Sequence, residues 1–311
     1  MKTTVSSLRE MLEQLRQRPF VFVSPGGNWG DGLIWWGAEH LANQLGLSFR
    51  SIDLPTFLKS RFDREEVLYI HGSGGFNRHS MRRAEQALAY AVSTHSGVVI
   101  QGPQTFEDSE DYAREVFQKV GESVRAERLV IWSRERTSFS LLSRTAPDWI
   151  ELGLDCDTAL HLDRETFLAR SGPVPLTYDL LGIREDNEVF RGREFSQLEG
   201  VLLDPARYAT SFEHWLRLHA GARRIITSRT HSAIAGSILK KPTIMLPGSY
   251  HKNRSIWEYV LAERGVVWGE NLEAPSFARR AKSLLRNKVL SLSRFSYKVN
   301  RFTMRAFGVP D

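Results

Sequence analysis

The segment Thr227-Ser228-Arg229-Thr230-His231-Ser232-Ala233-Ile234-Ala235-Gly236 carries the strongest chemical signal in the chain. An apolar run ends there, and a guanidinium and an imidazole stand two residues apart at the start of a helical stretch of small residues. Helix N-termini favour anions, and an imidazole changes charge near neutral pH. Arg229 is therefore a candidate anion ligand and His231 a candidate general acid or base. The alternative for His231 is a capping residue without chemistry. About one helix later, Tyr250-His251-Lys252-Asn253-Arg254 follows another short apolar run. It makes a polar, cationic loop, a solvated loop being the alternative. Arg134 follows the run 129–132 and Arg184 ends the run 176–183. Arginine offers a planar fork that matches carboxylate or phosphate. Most lone arginines are surface charges, but ligand sites of parallel sheets lie at strand ends of this kind.

Two glycine loops add backbone amides to these side chains. Gly26-Gly27-Asn28-Trp29-Gly30-Asp31-Gly32 follows the run 20–24, and His71-Gly72-Ser73-Gly74-Gly75-Phe76-Asn77 follows the run 66–70. Glycines before a helix let amides approach an anion; they also serve plain tight turns. Asn28 and Asp31 suit a helix cap or a ligand contact. The loops lack the Lys-Ser/Thr ending of a phosphate-binding Walker loop and are not a clean dinucleotide fingerprint. The chain has no HExxH, no Cys-His metal spacing and no G-x-S-x-G elbow. Asp155 and Asp157 are close neighbours, but two carboxylates do not make a metal site.

These groups need elements that bring them together. Short apolar runs at 20–24, 66–70, 97–101 and 128–133 alternate with helical stretches at 33–45, 80–93 and 109–120. The second half repeats the style, with runs at 176–183, 224–227 and 242–246 and a helical stretch at 231–239. Such alternation predicts an α/β fold whose parallel sheets are covered on both faces. At about 150 residues per domain, 311 residues suggest two domains. The break Ser171-Gly172-Pro173-Val174-Pro175 marks a boundary nearby. The expectation is two doubly wound Rossmann-like lobes facing a cleft, residues 1–165 and 166–311.

Composition excludes several classes. A 41% apolar and 25% charged chain is neither disordered nor fibrous. One cysteine, Cys156, excludes an internal disulfide and a thiolate-only metal site. The chain holds no run of about 20 apolar residues that would span a bilayer, and residues 1–18 mix charges and lack the apolar core of a signal peptide. A soluble, cytoplasmic protein is the expectation. The net charge of +6 is uneven, because residues 279–305 hold nine Lys or Arg and no acid, interleaved with apolar side chains. That pattern fits a terminal helix packed on the body, or a basic amphipathic helix making peripheral contact with an anionic membrane surface. No recognition motif points to nucleic acid.

In order along the chain, the motifs resemble those of the polysaccharide pyruvyl transferase family. Asn28-Trp29-Gly30-Asp31 resembles the family's Asn-x-Gly-Asp, and His71-Gly72-Ser73-Gly74-Gly75-Phe76 its glycine run. Arg134-Glu135-Arg136-Thr137-Ser138 resembles its Arg-acid-x-x-Ser. Asp155-Cys156-Asp157-Thr158-Ala159 is similar to its Asp-Pro-Ala segment without the proline, and Arg229-Thr230-His231 to its Arg-Leu-His with threonine for leucine. Lys241-Pro242 and Lys252-Asn253 resemble its closing elements. The resemblance covers about residues 20–260. It implies two lobes similar to GT-B glycosyltransferases, and transfer of a pyruvyl group from phosphoenolpyruvate to two hydroxyls of a sugar, giving a cyclic ketal. Phosphoenolpyruvate carries a phosphate and a carboxylate, so its site needs several cationic groups, and the expected donor-binding residues are Arg134, Arg184, Arg229, Thr230 and Asn253. His231 is the expected general acid and Lys252 the expected cation on the departing phosphate. Asn28, Gly30, Asp31, His71, Gly74 and Gly75 are expected to contact acceptor or donor, with the first lobe on the acceptor side and part of the donor site in the second. No metal or cofactor is expected beyond phosphoenolpyruvate as co-substrate; the acceptor is a sugar or a lipid-linked oligosaccharide. Two alternatives use the same scaffold: a nucleotide-sugar-dependent glycosyltransferase, and a glycan- or membrane-binding relative without catalysis.

Overall fold

The computed structural model describes residues 4–5, 7–78, 80–186 and 200–269. Phe20-Val21-Phe22-Val23 is buried at every position. Such a run has no polar face to give to water and must lie inside a sheet covered on both sides. Its alternate side chains go to different cores: Val21 and Val23 pack with Leu68 and Ile70, while Phe20 and Phe22 pack with Tyr69 and with Ala38 and Leu41 of the helix Trp29–Gln44.

Seven strands form the first sheet: β1 (Thr4–Val5), β2 (Phe20–Ser24), β3 (Phe49–Asp53), β4 (Val67–Ile70), β5 (Val98–Gln104), β6 (Arg128–Ser133) and β7 (Ile150–Leu154). Their spatial order is β1-β7-β6-β5-β4-β2-β3, and neighbours run parallel. Five strands form the second: β8 (Tyr178–Gly182), β9 (Val201–Leu203), β10 (Ala222–Thr227), β11 (Thr243–Met245) and β12 (Val267–Trp268). Their order is β12-β11-β10-β8-β9, also parallel. The protein is thus an α/β fold of two Rossmann-like lobes, as the alternation of runs predicts.

The strands at 20–24 and 128–133 match the expected limits. The helix expected at 33–45 does not. It begins at Trp29 rather than near residue 33, because Asn28 and Asp31 form a reciprocal cap: Gly30 N donates to Asn28 Oδ1 and Asn28 N to Asp31 Oδ2, both at 2.8 Å. That cap carries the helix through Gly30 and Gly32, which read as loop in the sequence. Strands β3 and β7 were not expected either. β3 is a half-exposed edge strand of mixed Phe49-Arg50-Ser51-Ile52-Asp53, so it lacks the apolar run that marks an internal strand.

The helix Trp29–Gln44 serves both cores. Ala38, Leu41 and Ala42 lie under the first sheet, while Leu33 joins a second core with Trp215, Leu216, Ala233 and Ile234. The segment 158–167 also packs there, through Ala159, Leu160 and Phe167. No helix among the described residues is long and apolar enough to cross a membrane. The basic tail 279–305 lies outside the described residues.

Candidate active site

The carboxyl ends of β2, β4, β6, β8 and β10 feed loops into one cavity of about 210 Å³. Its walls include Asn28, Gly30 and Asp31 after β2, Gly74 and Gly75 after β4, and Arg134 after β6. From the second sheet come Arg184, Arg229, Thr230, His231 and Lys252. Eleven of the thirteen residues singled out in the sequence therefore share one space; His71 and Asn253 stand outside it.

At the centre, an arginine, an aspartate and a histidine meet across the two lobes. Arg134 is almost wholly buried and donates from Nη1 to Asp157 Oδ2 at 2.7 Å and from Nε to Thr105 Oγ1 at 2.9 Å. His231, at the start of the helix Thr230–Ile238, places Nε2 3.5 Å from the same Asp157 oxygen and 3.4 Å from Arg134 Nη1. Burial by itself would raise the Asp157 carboxyl. The hydrogen bond from His231 and the charge of Arg134 outweigh it, and hold Asp157 well below its ordinary value of 3.8. Asp157 is thus a fixed negative charge that anchors an arginine and a histidine at the cavity floor.

A second cluster lies at the ends of β8 and β10. Asp204 accepts from Arg229 Nε at 2.9 Å and from Arg229 Nη2, and also takes the backbone amides of Ala206 and Glu185 at 3.1 Å. The third nitrogen of that guanidinium, Nη1, meets Asp186 Oδ2 at 2.9 Å. Arg184 pairs with the same Asp186, Nε to Oδ1 at 2.5 Å. Two cavity arginines therefore stand in fixed register, each already matched to carboxylate.

Lys252 enters from the helix Lys252–Ile256, its Nζ 5.0 Å from the Tyr250 ring centroid. Gly74 explains why this ammonium and Arg134 reach one spot. A Cβ on Gly74 would come within 3.3 Å of both Lys252 Nζ and Arg134 Nη2, so the bare backbone leaves the space into which the two cations project. Gly27 is bare for another reason, since a Cβ there would lie 2.2 Å from Asp31 Oδ2 and break the helix cap.

His71 and Asn253 correct the sequence reading. His71 is fully buried beneath the loop, edge-on to Phe22 and Tyr69, and burial pushes its imidazole down to about 3. It is a neutral core residue and does not reach the cavity. Asn253 is buried as well. Its Nδ2 donates to Ser228 O at 2.9 Å and Leu246 O at 3.0 Å, and its Oδ1 accepts from Thr230 Oγ1 at 2.7 Å. It ties together the loops after β10 and β11 and so holds Thr230 and Lys252 in place. Threonine at position 230 is what makes this tie: its hydroxyl finds a partner where leucine would have none.

The sequence model of the polysaccharide pyruvyl transferase family matches residues 28–250. The chain belongs to the polysaccharide pyruvyl transferase family. The match runs from the Asn28 cap to Tyr250 and spans both lobes. Among solved structures, a functionally uncharacterized protein from Klebsiella pneumoniae subsp. pneumoniae is similar in fold, with a TM-score of 0.61 and 19% identity; the likeness covers 84% of this chain and 96% of that one. No curated protein matches at a significant level.

Within this pyruvyl transferase fold, sequence reasoning missed the carboxylates. Asp157 was visible as a close neighbour of Asp155 and as part of a motif lacking its proline, with no sign of its partners. Asp186 and Asp204 carried no motif at all. Glu135, fully buried, caps the helix Arg136–Thr145 through Ser138 N at 3.1 Å and faces His251 Nε2 at 3.7 Å. Burial opposes its charge, but His251 and Ser138 hold its carboxyl below the usual range. Arg83, on the cavity wall near Gly26, was missed too. Asp157, Asp186 and Asp204 are found by asking what counter-charge each buried arginine must have.

Proposed function

We propose that the protein transfers the pyruvyl group of phosphoenolpyruvate to two hydroxyls of a sugar, closing a cyclic ketal during exopolysaccharide or cell-surface glycan synthesis. The observation that carries this reading is the cavity that gathers Arg134, Arg184, Arg229 and Lys252 around His231. Phosphoenolpyruvate bears a phosphate and a carboxylate, and guanidinium forks bind both in paired hydrogen bonds. Family membership supplies the transferase class, a pyruvyl donor and a glycan acceptor.

The chemistry uses these residues in sequence. His231 gives a proton to C3 of the enol, and positive charge builds at C2. The first sugar hydroxyl attacks C2, and its proton passes to the now neutral His231. The C2–O bond to phosphate then breaks, with Lys252 and the arginines balancing the charge on the leaving group. The second hydroxyl closes on C2, and its proton leaves with the phosphate. Asp157 holds the imidazole throughout from 3.5 Å.

The test is thermal-shift titration with phosphoenolpyruvate and with uridine diphosphate sugars, followed by phosphate release in the presence of sugar acceptors. A ligand that binds only the folded state raises the melting temperature. A shift with phosphoenolpyruvate, and acceptor-dependent phosphate release lost in H231Q, is the expected result. A shift with nucleotide sugar alone would move the assignment to glycosyl transfer.

A further inference from the structure

Arg184 and Arg229 share one exposed carboxylate. Asp186 reaches Arg184 Nε at 2.5 Å and Nη2 at 3.2 Å, and its Oδ2 lies 2.9 Å from Arg229 Nη1. The side chains of the two arginines are about 10% and 9% exposed, while that of Asp186 is 40% exposed. Asp204 contrasts with it: its side chain is 1% exposed, it grips the other edge of Arg229, and it accepts two backbone amides. Asp204 is buried behind Arg229, whereas Asp186 is the exposed partner that both arginines share.

We propose that Asp186 holds, in the free protein, the place of the donor's anionic group between Arg184 and Arg229, and so sets how tightly the site binds an anion. The inference rests on the reading that these two arginines receive the donor. A buried guanidinium without a counter-charge is costly, so Arg184, about 10% exposed, needs an anion beside it whether or not a donor is bound. A carboxylate or phosphate oxygen pair presents the same acceptors to the same forks. When the donor arrives, Asp186 swings to water, where a carboxylate is well solvated, while Asp204 keeps Arg229 aimed at the cavity. Donor affinity is then reduced by the fraction of molecules in which Asp186 still sits in the site.

The test measures binding of inorganic phosphate and of phosphoenolpyruvate to wild type, D186N and D186A by calorimetry at one ionic strength. Removing the competing charge is expected to tighten phosphate binding about tenfold or more in both variants. Unchanged or weaker phosphate binding in the two folded variants would overturn the proposal and make Asp186 an orienting partner of the arginines. The two readings fail separately. Tighter phosphate binding with no preference for phosphoenolpyruvate would count against the donor assignment alone. Good phosphoenolpyruvate binding that ignores position 186 would count against Asp186 alone.

Discussion

Arg134, Asp157 and His231 place two basic groups on a single buried carboxylate, and that sharing has measurable consequences. Breaking a buried ion pair leaves an uncompensated charge and costs about 3–5 kcal/mol. D157N is expected to lose that much stability in urea unfolding, because Arg134 is buried with it. The pH dependence follows from the lowered carboxyl. Asp157 contributes stability in full above its ordinary value of 3.8, and the contribution is lost as pH falls from there toward its lower folded value. The acid limb of the stability curve should therefore be shallower in D157N than in wild type. H231A should retain donor binding and lose about 10²–10⁴-fold in turnover, read by phosphate release. R229A is a poor probe of donor binding, since it strands the buried Asp204. A double-mutant cycle with D204A should show strong coupling, with R229A/D204A more stable than the sum of the single losses.

The helix Trp29–Gln44 links the site to the core. Its first turn is held by Asn28 and Asp31, and its middle lies against residues 158–161: Thr158 Oγ1 donates to Ile34 O at 2.9 Å, and a Cβ on Gly37 would come 2.1 Å from Thr158 O. N28A should lose about 0.5–2 kcal/mol through the missing cap. G37A should lose about 1–3 kcal/mol through overpacking and loosen Asp157, one residue away from that contact. Urea unfolding gives both numbers, and donor KM reports the second effect. Lys241, one of the residues behind the family resemblance, serves the fold instead. Its ammonium donates to Ala220 O at 2.7 Å and to Ala222 O, and burial lowers it to about 8. A motif residue can thus be structural while an unremarked aspartate such as Asp204 aims the site.

The two lobes are joined by more than the chain. Leu33 sits in the core that holds Trp215 and Ile234, Trp29 Nε1 donates to Ala209 O at 2.8 Å, and Thr137 and Ser255 share a hydroxyl contact of 2.8 Å. The His231 to Asp157 contact lies between them. Contacts of this kind couple the unfolding of the two sheets. Far-ultraviolet circular dichroism and tryptophan fluorescence, which sees Trp132 in the first sheet and Trp215 in the second core, should trace one coincident transition. Two separated transitions would show that the lobes unfold independently.

Much of this architecture was legible along the chain. Apolar runs of strand length, spaced by helical stretches, specify parallel sheets because a strand buried on both faces has no polar positions. Glycine loops and cations at the ends of those runs specify where a site lies, because parallel strands deliver their carboxyl ends to one edge. Edge strands such as β3 were not legible, since exposure lets them be polar. The roles of individual side chains were not legible either. His71 and Asn28 sit in similar glycine loops, yet one is packed among aromatic rings and the other faces the cavity. Which carboxylate neutralises which arginine depends on groups 23 to 25 residues apart, Arg134 with Asp157 and Arg229 with Asp204, meeting in space. Periodicity records burial one element at a time, whereas charge pairing is settled only when the elements pack and water is removed.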